Sequence, residues 1–516
     1  MKFLKLPHKR LLINAVILIF VFISSNITVF SAIAAPTTNH APSTKVNNST
    51  NLHAELYKKR EGFYSYIIGN IDGSNLIEHH ADVYITPMSC QKVVTALLSL
   101  KELGPDFRYK TSLYVTKEIK ENAAIKDIII SFSADPTLTS QDIINLLKPL
   151  KAKLKGKKIR GKIILDASMF QTPPHSPYIF VGDIGTKFGR PVSAISIDNN
   201  WINITTKFNS TKFDANFDAN FNDIKKNIVI ENDAGYNISP NFITSDTLNS
   251  FKAPIKTPVK TVFQWQGNNI KAIIKEPTHS TPVGQQEYLK FQPQTSKTTI
   301  SPLDIEHFIL NKLKLIAQKY EYLKGKEIEI QKDAKRLPHN KQLIKTHESK
   351  PLKQILPVAF KESDNLIFDS LYLRIIYRHN KDITAWDEGS SIFKNLLQKH
   401  FSVKMNNAFF VDGSGISRYN RIKTKQLFEL LQNAHQIKEF INCFPKPGEI
   451  NSTLETRKNL PPTIIAKSGT GIGTSCLCGY NNSNPKKVFA ITVNNSYPPK
   501  EHINNVLDKF LADYFN

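Results

Sequence analysis

Apolar runs from Tyr64 to Ile68 and from Val83 to Thr86 are short and rich in β-branched and aromatic residues, which predicts two strands near the start of the ordered chain. Ser89 then opens a helical stretch, Val93 to Leu103, which Gly104-Pro105 ends. Further on, Ile128 to Phe132 and Lys162 to Asp166 are β-prone, whereas Asp142 to Leu150 and residues 303–323 carry helical spacing. Residues 204–290 are poor in helix signals and rich in Asn, Lys and Thr, the pattern of a small β-rich module. From about 345 onward the pattern is helical. It ends in two apolar runs, Thr463 to Lys467 and Lys487 to Asn494, followed by a helix candidate from His502 to Tyr514.

Together these elements predict an α/β (α+β) chain whose main sheet is assembled from both ends of the sequence, with helices around it. At 516 residues the chain exceeds what one core comfortably holds. The expected division is an export signal at 1–34, a Thr-, Asn-, Ser- and Pro-rich leader at 35–51, and a discontinuous main domain at 52–103 and 345–516. Nested inside that domain are an inserted domain at 104–203 and 291–344 and, within it, an inner module at 204–290. A tandem Phe-Asp-Ala-Asn at 213–220 reads as a local duplication.

The N-terminus changes the picture of compartment. Lys2, Lys5, Lys9 and Arg10 precede a run from Leu11 to Ile23 that is apolar except for Asn14, and Ala32-Ile33-Ala34 offers cleavage spacing. The expectation is an exported protein, periplasmic, with an uncleaved membrane anchor as the alternative. Net charge is +24, and loss of the signal's four cations leaves about +20. In an exported chain such a balance favours contact with anionic wall polymer or a membrane surface over nucleic acid, for which no motif is present. The densest basic run, Lys148 to Lys162, holds eight Lys or Arg and no acid, the pattern of a solvated face.

The four cysteines, Cys90, Cys443, Cys476 and Cys478, have neither metal-ligand spacing nor a disulfide framework. They read as small buried hydrophobes, the alternative being a strained disulfide between Cys476 and Cys478. No metal and no cofactor is expected.

The candidate chemistry lies in three short motifs in one order: Ser89-Cys90-Gln91-Lys92, Ser363-Asp364-Asn365 and Lys467-Ser468-Gly469-Thr470. A serine hydroxyl needs a base within hydrogen-bond reach to act as a nucleophile, and Lys92, one helical turn on, can serve if it is neutral. Burial and the neighbouring cation Lys467 should both lower its pKa. Ser363 can pass a proton onward, Asn365 can hold an amide, and Lys467 can attract a carboxylate. Gly469 leaves room at the strand edge, and the N–H groups of Ser89 and Thr470 are oxyanion-hole candidates. The constellation is that of acyl transfer.

At this point the chain resembles the serine D-alanyl-D-alanine carboxypeptidase/endopeptidase family, the low-molecular-mass class C penicillin-binding proteins. The resemblance extends to Leu103-Gly104-Pro105-Asp106-Phe107-Arg108, Ala134-Asp135-Pro136-Thr137-Leu138, Pro191-Val192-Ser193-Ala194 and Asp412-Gly413-Ser414-Gly415-Ile416-Ser417-Arg418. It implies a transpeptidase/β-lactamase-like domain with two nested insertions, and hydrolysis of D-Ala-D-Ala termini and cross-links in peptidoglycan stem peptides through an acyl-enzyme on Ser89. β-Lactams are then covalent inhibitors. The resemblance also implies a side-chain pocket at Asp183, Phe188 and Arg418. A serine β-lactamase and a non-catalytic wall-binding protein are the rival readings, and a homodimer is left open.

Overall fold

The computed structural model describes residues 62–117, 125–154, 159–208, 228–236, 238–242, 260–266, 269–275, 294–497 and 499–515. The signal, the leader and the Phe-Asp-Ala-Asn duplication lie outside the described residues. The main sheet has five antiparallel strands in the order Ile464–Gly471, Thr474–Asn481, Lys487–Asn494, Phe63–Asn70, Ile77–His79. Pairing of Phe63 with Asn494 through Asn70 with Lys487 joins the two ends of the chain.

Alternation along these strands feeds two cores. Ile67, Cys476, Cys478, Tyr480, Val488 and Ala490 face the side that carries the helices Gln91–Glu102 and Thr424–Ala434. Tyr66, Ile68, Leu477, Phe489 and Ile491 face the other, where Ile503, Leu507, Phe510 and Leu511 of the C-terminal helix Lys500–Phe515 cover them. Because both faces are covered, Phe63–Asn70 and Lys487–Asn494 read as mostly apolar runs. The middle strand, Thr474–Asn481, escapes a sequence reading because its buried positions are filled by Ser475, Cys476, Cys478 and Gly479, which lack the usual β-branched signature.

Helix Gln91–Glu102 is the hub. Every residue from Gln91 to Leu100 is buried, the polar ones included. Thr95 Oγ1 donates to Gly413 O at 2.7 Å and Ser99 Oγ donates to Thr95 O at 2.7 Å, which removes the cost of burying those hydroxyls.

A second five-stranded sheet, ordered Ile328–Gln331, Ile163–Asp166, Ile125–Ser131, Lys110–Lys117, Lys341–Glu348, packs beside the helices Ser140–Leu154 and Ile305–Ala317. The remaining sheets among the described residues are two three-stranded ones, Gln294–Ile300 with Ile202–Phe208 and Ile228–Asn232, and Lys260–Gln266 with Asn269–Lys275 and Ile238–Phe242, and a two-stranded pairing of Tyr84–Ile85 with Ile422–Lys423. The fold is α+β, as the pattern predicts.

Candidate active site

Three elements meet at the site. Ser89 sits in a single 3-10 turn, Met88–Cys90, immediately before the hub helix, so Lys92 follows one helical turn on. Ser363 and Asp364 lie between the helices Leu352–Glu362 and Asn365–His379. Ser363 terminates the first in the left-handed conformation (φ 59°), and Asp364 caps the second by accepting from Ile367 N–H at 3.0 Å. Lys467 to Thr470 lie on Ile464–Gly471, the outermost strand of the main sheet.

Two glycines permit the convergence. A Cβ at Gly469 would stand 2.8 Å from Pro87 O and 3.0 Å from the backbone nitrogens of Ser89 and Cys90. The glycine lets the edge strand press against the Ser89 turn, in addition to the room at the strand edge expected from sequence. Gly415, at φ +80°, has Met88 O only 1.8 Å from where a Cβ would be.

Lys92 is wholly buried. Its Nζ donates to Ser89 Oγ at 3.0 Å, to Asn365 Oδ1 at 2.7 Å and to Ser414 O at 2.7 Å. Burial is the largest influence on its pKa, and the Lys467 charge acts in the same direction. Together they outweigh the opposing charges of Asp369, Asp412 and Asp364 and bring it down to about 7. A base of that strength is poised for use near neutrality.

Lys467 is equally buried, and its Nζ donates to Ser468 O at 2.6 Å and lies 5.8 Å from the centre of the Phe360 ring. Burial lowers its pKa to about 8. Ser468 is buried and Thr470 half-buried on the same edge.

All four cysteines are buried free thiols, so no Cys476–Cys478 disulfide forms. Cys90 Sγ faces away from the solvent side and donates to Lys467 O at 3.3 Å, and burial pushes its thiol well above the usual range. A thiol held protonated is a poor nucleophile.

Sequence reasoning missed several groups that hold these residues in place. Asp369 is buried, five residues after Asp364 on the same helix. It accepts from Gly413 N–H at 3.0 Å, Ser414 N–H at 2.8 Å and Ser414 Oγ at 3.1 Å, and so fixes the carbonyl that receives Lys92. Burial raises its pKa to about 8. Asp412 shapes the next turn by accepting from Gly415 N–H at 2.7 Å and Ser417 N–H at 2.8 Å, with Asn420 Nδ2 donating at 2.9 Å. An acid among Leu366, Phe368, Leu371 and Tyr372 was the available signal for Asp369.

The expected side-chain pocket is more open. Arg418 is exposed, its guanidinium 5.1 Å from the centre of the Phe180 ring. Asp183 is close enough for the Arg418 charge to lower its pKa, although burial is the larger influence and leaves it raised. Phe188 is 54% exposed with Lys187 Nζ 5.1 Å from its ring centre, while its carbonyl accepts from Asn365 Nδ2 at 2.9 Å. Asp183 thus lies within electrostatic reach of Arg418, Phe188 is joined to the centre through its backbone, and Phe180 is the ring beside the arginine.

With this geometry in place, comparison with known proteins is informative. The sequence profile of the D-Ala-D-Ala carboxypeptidase 3 (S13) family matches residues 48–257 and 293–514. D-alanyl-D-alanine carboxypeptidase DacB of Haemophilus influenzae is 27% identical over 445 residues, covering 84% of this chain and 85% of that protein. The crystal structure of penicillin binding protein 4 from Haemophilus influenzae superimposes with a TM-score of 0.70 at 22% identity, covering 92% of this chain and 99% of that one. The same protein complexed with a novel β-lactam gives 0.67 over the same shares. The chain belongs to the D-Ala-D-Ala carboxypeptidase 3 (S13) family of serine peptidases.

Proposed function

We propose that Ser89 is the nucleophile through which this enzyme cleaves the D-Ala-D-Ala terminus of peptidoglycan stem peptides and the D-Ala-diaminopimelate bond of cross-links. The observation that carries the reading is the placement of a buried Lys92 Nζ, brought down to about 7, 3.0 Å from Ser89 Oγ. In the first step the hydroxyl proton passes to Lys92 Nζ as Oγ bonds to the penultimate D-Ala carbonyl carbon. The Ser89 and Thr470 N–H groups receive the developing oxyanion. Collapse of that intermediate breaks the C–N bond, and the proton moves from Lys92 by way of Ser363 to the leaving amine. Water then hydrolyses the ester. Asn365 carries the substrate amide as well as holding Lys92, and Ser468 with the buried cation Lys467 receives the terminal carboxylate.

Asp183, Phe188 and Arg418 form the site for the stem-peptide side chain. Its ammonium pairs with the acid, its carboxylate with the arginine, and its methylenes lie on the ring. The work is done outside the cytoplasm, in the periplasm, after export on residues 1–34, and the basic surface favours contact with anionic wall or membrane. The domain division is 52–103 with 345–516, 104–203 with 291–344, and 204–290. Incubating purified protein with cross-linked muropeptides and reading the product masses tests the reaction directly: release of free D-Ala and of monomeric muropeptides is expected. Fast nitrocefin turnover in place of stable penicillin labelling would favour the β-lactamase reading instead.

A further inference from the structure

Arg190 belongs to none of the three motifs, yet it is buried beside them, its side chain 3% exposed. Its Nη2 donates to Asp364 Oδ1 at 2.7 Å, the same oxygen that caps the helix beginning at Asn365. Two further donors are anchored on backbone carbonyls, Nε on Lys187 O at 3.2 Å and Nη1 on Asn199 O at 3.3 Å, and the guanidinium lies 4.6 Å from the centre of the Trp201 ring. The arginine thus fastens the loop that carries Asp183 and Phe188 to the middle residue of Ser363-Asp364-Asn365.

One residue along, the Asn365 amide completes a second tie: Nδ2 donates to Phe188 O and Oδ1 receives Lys92 Nζ. An asparagine amide can face either way, and here the Phe188 carbonyl, an acceptor only, dictates that Nδ2 turns toward the loop and Oδ1 toward the base. Displacing the loop removes that instruction.

We propose that Arg190 is a positioning residue for acylation. By locking the 183–190 loop onto Asp364 it holds the Phe188 carbonyl against Asn365, and so sets the amide orientation that aims Lys92 at Ser89. This role rests on the reading of Lys92 as base. It is carried by a guanidinium because four partners must be met at once, two carbonyls, a carboxylate and a ring face, which an ammonium cannot span.

The test separates acylation from binding. Stopped-flow reaction with benzylpenicillin yields the acylation constant and the non-covalent dissociation constant, each normalised to the fraction of protein that can be labelled. Arg190→Met should lower the per-site acylation constant by about tenfold or more, as small misplacements near reacting groups do, while the dissociation constant stays within about threefold. Arg190→Lys should recover part of the loss and guards against a variant that fails to fold. In an Asp364→Ala background, Arg190→Met should cost less than about twofold further, because the oxygen through which it acts is already gone. An unchanged acylation constant per labelled site, or full additivity with Asp364→Ala, overturns the proposal. Normal acylation by Lys92→Ala would overturn the reading of the base and the role of Arg190 with it, whereas an impaired Lys92→Ala beside an unaffected Arg190→Met would overturn the role of Arg190 alone.

Discussion

The floor of the site and its rim are built on opposite principles. On the floor, Lys92 and Lys467 are fully buried; Lys92 donates to Ser89, Asn365 and Ser414, and Lys467 donates to Ser468 O. On the rim, Arg418, Phe180 and Phe188 stand largely in solvent, and Asp183 is only partly covered. Dry groups held by hydrogen bonds have paid their desolvation cost during folding, so they act on the reacting bond with little further reorganisation. Exposed groups remain hydrated until a ligand arrives, so they contribute only to ligands that reach them. The floor should therefore govern every acylation and the rim should discriminate among peptides.

The largest expected break is at the floor. Ser89→Ala should abolish covalent penicillin labelling with the fold intact, whereas Cys90→Ser should retain labelling, and gel fluorescence with a labelled penicillin reads both. Lys92→Arg should be nearly as damaging as Lys92→Ala, on the order of a hundredfold or more in acylation rate, because a guanidinium keeps its proton and cannot act as base. An Arg variant that acylates at close to the wild-type rate would reduce Lys92 to an electrostatic aid.

Beneath the floor, Asp369→Ala removes the acceptor of the Gly413 N–H, Ser414 N–H and Ser414 Oγ hydrogen bonds. Loss of those hydrogen bonds should cost about 1–3 kcal/mol in urea unfolding. The acylation rate should fall as well, because the Ser414 carbonyl that steadies Lys92 is loosened. The floor also predicts a pH profile for acylation. Below about 7 the rate falls as Lys92 gains its proton, and above about 8 it falls as Lys467 loses the charge that attracts the substrate carboxylate. A rate flat from pH 6 to 9 would break the account of the lysines.

The rim supplies the smallest effect and the sharpest contrast. Arg418→Ala should weaken turnover of diaminopimelate-containing peptides by about 1–3 kcal/mol of lost charged hydrogen bonding, yet leave benzylpenicillin acylation within a few fold. Equal losses toward both would place Arg418 in the support of the floor.

What was legible in the sequence follows the same division. Ser89, Lys92, Ser363, Asn365 and Lys467 could be singled out as candidates because each motif is contiguous and its proposed chemistry depends on spacing within one turn or strand. The two ends of the main sheet were visible because Tyr64 to Ile68 and Lys487 to Asn494 are covered on both faces and so are mostly apolar. Asp369, Ser414 and Arg190 were not read as site residues, since their roles arise only when the segment near 413, the helix from 365 and the loop before 190 are packed together. Nothing local marks Arg190, whose partner Asp364 is 174 residues away. Gly469 was singled out, but the close approach of the edge strand to the Ser89 turn is a property of packing that no single strand reveals.

The central claim is that a buried, partly deprotonated Lys92 activates Ser89, and the most direct measurement is the location of the acyl group. Brief reaction of the intact enzyme with benzylpenicillin, followed by proteolysis and mass spectrometry, should place the adduct on Ser89 in the wild-type protein, with the yield collapsing in Lys92→Arg. An adduct on Cys90 or on any other residue, or full labelling of Ser89 in the Lys92→Arg variant, would contradict the account.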